Sequence, residues 1–308
     1  MLKTWRVRII LIAVVLAVGP LGSQATQARP AERVATAVTV GATAPAGAAT
    51  AACAPPSGVD QVLVPRGTVD RMPSDGVLTS FSHRGGATAT AGNTLRPLVL
   101  RLGVDDYQVV GRALPVLPVP GTLTTYAVRI PVRAGDLLAM HVKGSVGVAA
   151  CSYGTTAQGT FDDILIDPDT HSVIPSPSGG EPQQGRLNIS AVLEPDADGD
   201  GYGDVSQDGC ALDAALQGPC PVPDTKVTKA PPKKTSAHKV KVKFAATLPD
   251  VTFLCTVDFK AAQPCTSPFK VKVGLGKHRL VIQATSPEYA TTDTTPAEVR
   301  WKVRPKAD

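Results

Sequence analysis

Asp196-Ala197-Asp198-Gly199-Asp200-Gly201-Tyr202-Gly203-Asp204-Val205-Ser206-Gln207-Asp208 is the stretch that divides this chain. Before it lie short alternating apolar runs broken by turn residues, and after it come a disulfide-sized loop, a lysine-rich run and a second set of alternating runs. Crowding so many carboxylates into one loop is unfavourable unless a cation neutralises them, and Ca2+ takes six to eight hard oxygen ligands. A loop with carboxylates at positions 1, 3, 5 and 9 and glycine at position 6 supplies such ligands. In that register Asp196, Asp198, Asp200 and Asp204 are side-chain ligands, Gly201 is the sharp turn and the Tyr202 carbonyl is the seventh-position ligand. Position 12, a bidentate glutamate in an EF-hand, is Gln207, and Asp208 follows one residue late as a further ligand.

Outward from this loop, composition sets the class. Aromatic residues make up only 4% of the 308, while glycine and proline number 28 each, which suits short strands joined by turns. Residues 224–308 carry 16 Lys/Arg against 7 Asp/Glu, whereas residues 1–223 carry 15 against 19, so the two halves differ in charge sign. Residues 1–28 read as a secretory signal peptide: Lys3, Arg6 and Arg8, then an apolar run from Ile9 to Val18 too short to span a bilayer, then small residues suited to cleavage. Export to an extracellular or loosely surface-associated location follows, with no membrane span after signal removal. Residues 29–57, rich in Ala, Thr and Gly, read as a disordered spacer.

Residues 58–195 offer eight or nine strands with strong breakers between them, the pattern of an antiparallel β-sandwich of jelly-roll type. Residues 196–223 are the acidic loop and a disulfide-closed turn, 224–239 a basic linker, and 240–304 a smaller immunoglobulin-like β-sandwich with Trp301 facing inward. The fold class is therefore all-β. Six cysteines in an exported chain permit fifteen pairings. Locality favours Cys210 with Cys220 and Cys255 with Cys265, which leaves Cys53 for Cys151.

Two resemblances add to this reading. The acidic loop, running into Cys210, resembles the calcium-binding repeats of thrombospondin type 3, although Ala211 stands where a proline is usual and only one repeat is present. Phe253-Leu254-Cys255-Thr256-Val257-Asp258, Pro264-Cys265-Thr266-Ser267-Pro268, Gly276-Lys277-His278 and Trp301-Lys302-Val303 resemble a bacterial immunoglobulin-like repeat of secreted proteins. That resemblance implies a cysteine bridge between neighbouring strands, a core tryptophan, and adhesion, spacer or display roles without catalysis.

Other chemistry is thinly signalled. Ala150-Cys151-Ser152-Tyr153-Gly154 lacks the first glycine of a nucleophile elbow, and the five histidines stand singly without metal-ligand spacing. Asp162, Asp163, Asp167 and Asp169 offer a second calcium cluster or a glycosidase-type carboxylate pair, but alternation through Ile164-Leu165-Ile166 puts Asp163 and Asp167 near the ends of one strand and favours solvated strand ends. Lys226, Lys229, Lys233, Lys234, Lys239, Lys241 and Lys243 suit a solvated linker with a secondary, salt-sensitive attraction to an anionic cell-surface polymer or glycan. Without interleaved aromatics they do not suit specific nucleic-acid readout. The expectation is a non-enzymatic surface protein with a calcium-ordered joint; the competing expectation is a carbohydrate-binding module or secreted hydrolase with its site in the N-terminal sandwich.

Overall fold

The computed structural model describes residues 36–52, 60–86, 94–144, 150–154, 159–176 and 182–306. The expected signal peptide and Cys53 lie outside these residues. Among the described residues there is no helix, and no helix long and apolar enough to cross a membrane.

The N-terminal half comprises β1 (Val38–Ala42), β2 (Thr50–Ala52), β3 (Gln61–Pro65), β4 (Gly76–Arg84), β5 (Thr94–Leu102), β6 (Asp106–Arg112), β7 (Leu123–Val132), β8 (Leu137–Lys143), β9 (Ala150–Tyr153), β10 (Thr160–Leu165), β11 (Val173–Pro175), β12 (Gln183–Gln184), β13 (Arg186–Leu187) and β14 (Ile189–Glu194). One sheet runs β1-β14-β4-β7 and its partner β11-β6-β5-β8-β3-β10-β12, with a small β13-β9-β2 sheet beside them. Taking β1, β3, β4, β5, β6, β7, β8 and β14 in chain order, the facing sheets read first-eighth-third-sixth and second-seventh-fourth-fifth. That is the jelly-roll order expected from the strand count.

Period-2 alternation explains the layering. Leu63, Leu95, Val99, Leu138, Met140 and Val142 meet Leu78, Phe81, Ile130, Ile189, Ala191 and Leu193 in the core between the sheets. The intervening Val62, Val64, Leu98, Leu100, Leu137 and Ala139 face the other way and are buried as well, in a second cluster with Ile164, Ile166 and Ile174. Strands buried on both faces explain the nearly continuous apolar runs of β3, β5 and β8.

Two expectations are corrected. The run read as spacer contains β1, which pairs with β14 from Val38↔Leu193 to Ala42↔Ile189 and buries Val40 and Ala44. Its residues are too small to form a core alone, but they supply an edge that the first sheet needs. The run read as linker contains β15 (Thr225–Lys229) and β16 (Lys234–Thr235), so the second sandwich begins well before residue 240.

The remaining strands are β17 (Lys239–Ala246), β18 (Thr252–Val257), β19 (Gln263–Cys265), β20 (Phe269–Lys272), β21 (Gly276–Ser286), β22 (Thr291–Thr292) and β23 (Ala297–Val303). They form the sheets β15-β17-β20 and β16-β23-β21-β18-β19, with β16 parallel to β23 and β22 hairpinned onto β21. This is the immunoglobulin arrangement of an A-B-E sheet on a G-F-C sheet. Val240, Val242 and Phe244 pack against Leu280, Ile282, Val299, Trp301 and Val303. The Cys255–Cys265 disulfide bridges the neighbouring strands β18 and β19, and Cys210–Cys220 closes the turn after the acidic loop. In the chain-entropy model a loop of that size contributes roughly 2.5–3 kcal/mol. Disulfides of this kind point to an extracellular or otherwise oxidising environment. Cys151 is itself disulfide-bonded.

Candidate metal centre

The acidic loop leaves β14 at Glu194, and that residue fixes its path. Thr79 Oγ1 donates to Glu194 Oε1 at 2.9 Å, Ser206 Oγ to the same oxygen at 2.7 Å, and the Val205 and Ser206 amides to Oε2 at 3.0 and 2.8 Å. Burial by itself raises this carboxyl, but the bonds from Ser206, Thr79 and Val205 outweigh it and hold Glu194 below the usual range. Gly203 lies so close that a Cβ there would come within 2.5 Å of Glu194 Oε2. Nothing local in the sequence marks Glu194, because its partners Thr79, Val205 and Ser206 lie far along the chain or at the far end of the acidic loop.

Within the loop the carboxylates organise the backbone around themselves. Asp196 accepts the Gly199 amide at 2.9 Å and the Gly201 amide at 3.1 Å, and Asp200 accepts the Tyr202 amide at 2.8 Å. Gly199 and Gly201 take the left-handed φ values of +77° and +84° that tightly curled backbone demands and glycine permits. Ligand oxygens of Asp196, Asp198 and Asp200 come within 4.8 Å of one another, so this group could hold a metal ion.

The other expected ligands divide. Asp208 is only 6% exposed; one of its oxygens accepts the Cys210 amide at 2.8 Å, and the other is buried without a donor. Asp198 Oδ2 is likewise buried without a donor. Burial first, and then the charges of Asp200, Asp208 and Asp196, push the Asp198 carboxyl up. Burial, with the charges of Asp196, Asp198 and Asp208, does the same to Asp204, both of whose oxygens accept the Ala197 amide at 3.2 Å. Asp196, Asp198, Asp200, Asp204 and Asp208 therefore feel one another as a cluster. Tyr202 points its ring elsewhere, beneath the Arg129 guanidinium at 4.0 Å. Gln207 does not turn inward either: its amide reaches Val128 O at 2.7 Å and ties the loop to β7. All the inward atoms are hard carboxylate oxygens, and two buried ones lack any donor, so the residues present fit a hard divalent cation.

The same segment touches both sandwiches. Gln217 Nε2 donates to Asp200 Oδ2 at 2.8 Å, linking the disulfide-closed turn back to the acidic loop. On the other side Thr291 Oγ1 donates to Pro221 O at 2.7 Å.

Side chains that a nucleophile, a sugar-stacking face or a carboxylate pair would need in the N-terminal sandwich are taken up by the fold. Ser152 is buried in β9; Tyr107 and Tyr153 are buried, and Tyr126 stacks on Phe81 with centroids 5.0 Å apart. Asp162 pairs with Arg66, Asp163 accepts from Gln61 at 2.6 Å, and Asp169 pairs with Arg96 and Arg112, so two of the four acids expected at solvated strand ends are ion-paired. His141 does sit beside a carboxylate, with Nε2 3.1 Å from Asp60 Oδ2, but Arg96 Nε occupies its other nitrogen at 2.9 Å.

No protein-family model and no curated protein matches the chain. Among solved structures, it is similar to the adhesin domain of Epf from Streptococcus pyogenes, with 8% identity over 78% of this chain and 72% of that one, at a TM-score of 0.21. It is also similar to a beta-1,2-glucanase from Parabacteroides distasonis, with 11% identity over 82% of this chain and 32% of that one, at a TM-score of 0.19. Likeness at that level carries no argument about what this chain does.

Proposed function

We propose that the protein is an exported, non-catalytic surface or extracellular protein in which the acidic loop is a Ca2+-ordered joint between two β-sandwiches, serving an adhesive or display role. The observation that carries this reading is the pair of buried, donor-less oxygens, Asp198 Oδ2 and Asp208 Oδ2, on a cluster of five mutually repelling aspartates. Ca2+ rather than Mg2+ suits a curled loop rich in carboxylates, because Ca2+ accepts many oxygen ligands in flexible geometry while Mg2+ keeps its waters. Asp196, Asp198, Asp200, Asp204 and Asp208 hold the ion in this reading, with the Tyr202 carbonyl completing the set. Bound Ca2+ removes the repulsion, and the loop's bonds to Glu194, Val128 and the Cys210–Cys220 turn then hold one sandwich against the other. The resemblances to thrombospondin type 3 and bacterial immunoglobulin-like repeats agree with it, and an anionic surface polymer is the kind of partner it implies.

The test is proteolysis of the oxidised mature protein in chelator, in Mg2+ and in millimolar Ca2+, with cleavage mapped by mass. Protection of residues 196–224 by Ca2+ alone is the expected result. Equal cleavage in all three conditions would reduce the loop to an ion-free connector.

A further inference from the structure

The lysine-rich run is part of a folded surface, and the register of β15, β17 and β20 places its charges in a pattern with no internal partner. Val240, Val242 and Phe244 point into the core, so Lys239, Lys241 and Lys243 point out, and all three are exposed. Directly across from them stand more lysines: Lys272 opposite Lys239, Lys270 opposite Lys241, and Lys229 opposite Lys243. Lys226 extends the row beside Ala245. Like charges directly opposite one another across strands destabilise a sheet. Here that happens three times in succession.

The other outer face of the same sandwich is mixed. There Arg279 and Arg300 stand opposite each other but both bind Glu298, whereas Lys277 faces Lys302, and Lys302 faces Lys234 on its other side, without an ion pair among the described residues. On the β15-β17-β20 face the one ion pair among the described residues is Lys226 with Asp224 at 3.3 Å, at one end, and none of the six lysines of the three opposed pairs has an acidic partner there.

We propose that this face, Lys229, Lys239, Lys241, Lys243, Lys270 and Lys272, is a docking surface for a linear phosphodiester polymer. Successive outward lysines on a strand are about 7 Å apart and opposed ones about 5 Å, which gives a comb of point charges along and across the sheet. No aromatic side chain stands on the face, so neither bases nor sugar rings are gripped by stacking and recognition falls to the polymer's backbone charge. The cations are all lysine. A lysine ammonium meets a phosphate oxygen as a point charge from any direction, so a comb of lysines suits a chain of repeated charges without demanding the fixed fork geometry that arginine imposes. This deepens the adhesive half of the function proposed above and rests on that reading only for where the polymer is met; it does not depend on the metal.

The experiment uses the full mature chain in oxidised form, titrated in chelator with fluorescently labelled poly(glycerol phosphate) over a series of NaCl concentrations. Working in chelator makes the result independent of the calcium test. Binding is expected, with affinity falling steeply as salt rises. The triple variant K241Q/K243Q/K270Q is expected to make the log–log salt slope shallower by about 2, since each neutralised phosphate of a flexible strand contributes about 0.7. K234Q/K277Q/K302Q, on the opposite face, is expected to leave the slope unchanged. Trp301 fluorescence checks that both variants fold. Absence of binding, an unchanged slope in the first variant, or an equal loss in the second would overturn the site. Equal affinity for polyglutamate of matched length would overturn the phosphodiester assignment.

Discussion

The two sandwiches treat charge in opposite ways. The N-terminal one buries it: Arg96 and His141, 5% and 2% exposed, sit in a chain of contacts from Asp60 through His141 and Arg96 to Asp169. The C-terminal one carries most of the lysines and leaves them on its outer faces, with no acid opposite those of the β15-β17-β20 sheet. Size accounts for part of this. The larger sheet of the jelly roll is buried on its second face as well, in the cluster that includes Leu98, Ala139 and Ile174, so polar residues on that face are trapped and must be paired. The immunoglobulin-like sandwich has a single core between its sheets, and both outer faces meet water. Charge in the first domain is therefore a matter of stability, and charge in the second is available for contact.

The largest effect should come from breaking the buried chain. Arg96→Ala leaves the His141–Asp60 pair buried without its third member and removes one of the two cations on Asp169, and it is expected to cost about 3–5 kcal/mol in urea unfolding. Lys241→Ala, in the other sandwich, should change stability by no more than about 0.5 kcal/mol. Comparable losses from the two substitutions would erase the contrast.

Acid should sharpen it. Burial holds His83 down at about 4, with the bond from its Nδ1 to Asn188 O opposing that shift, so the unfolded chain binds this proton more readily than the folded one. The group's stabilising contribution is present above pH 6.5 and is lost as pH falls toward 4, by about 3 kcal/mol in all. Burial and the neighbouring Arg96 lower His141 in the same direction, which adds to the loss. Tyrosine fluorescence of urea unfolding should show this acid limb for the N-terminal sandwich, and His83→Gln should flatten it. Trp301, in the second sandwich, should report a smaller dependence over the same range.

Next in size is the clamp where the acidic loop begins. Glu194→Gln keeps the shape but weakens four charge-assisted bonds, from Thr79, Val205 and two groups of Ser206, for an expected loss of roughly 1–3 kcal/mol. It should also weaken any calcium protection of the loop without removing a ligand, which separates positioning from coordination. Smallest, and opposite in sign, is the effect of relieving the lysine comb. K241Q/K270Q should raise the melting temperature of the second sandwich slightly, by the equivalent of about 0.2–1 kcal/mol at low salt, and the gain should vanish at high salt.

Much of this molecule was already readable along the chain. Alternation in Val240–Ala245, Phe253–Val257, Leu280–Ala284 and Val299–Val303 determined the strands and the inward side of each, because a period of two leaves one choice of face once a core forms. The aspartate spacing determined that Asp196, Asp198 and Asp200 would converge, since a loop that short keeps its own side chains together. What the sequence could not determine were relations across distance. Val38–Ala42 looks too poor to fold, and it becomes a strand because β14, some 150 residues later, offers it an edge. Glu194 and Gln207 owe their roles to Thr79 and Val128 in the jelly roll, and Lys229, Lys270 and Lys272 join the lysines of β17 only through sheet register. Local pattern fixes which way a side chain faces, but only the tertiary fold decides what it faces.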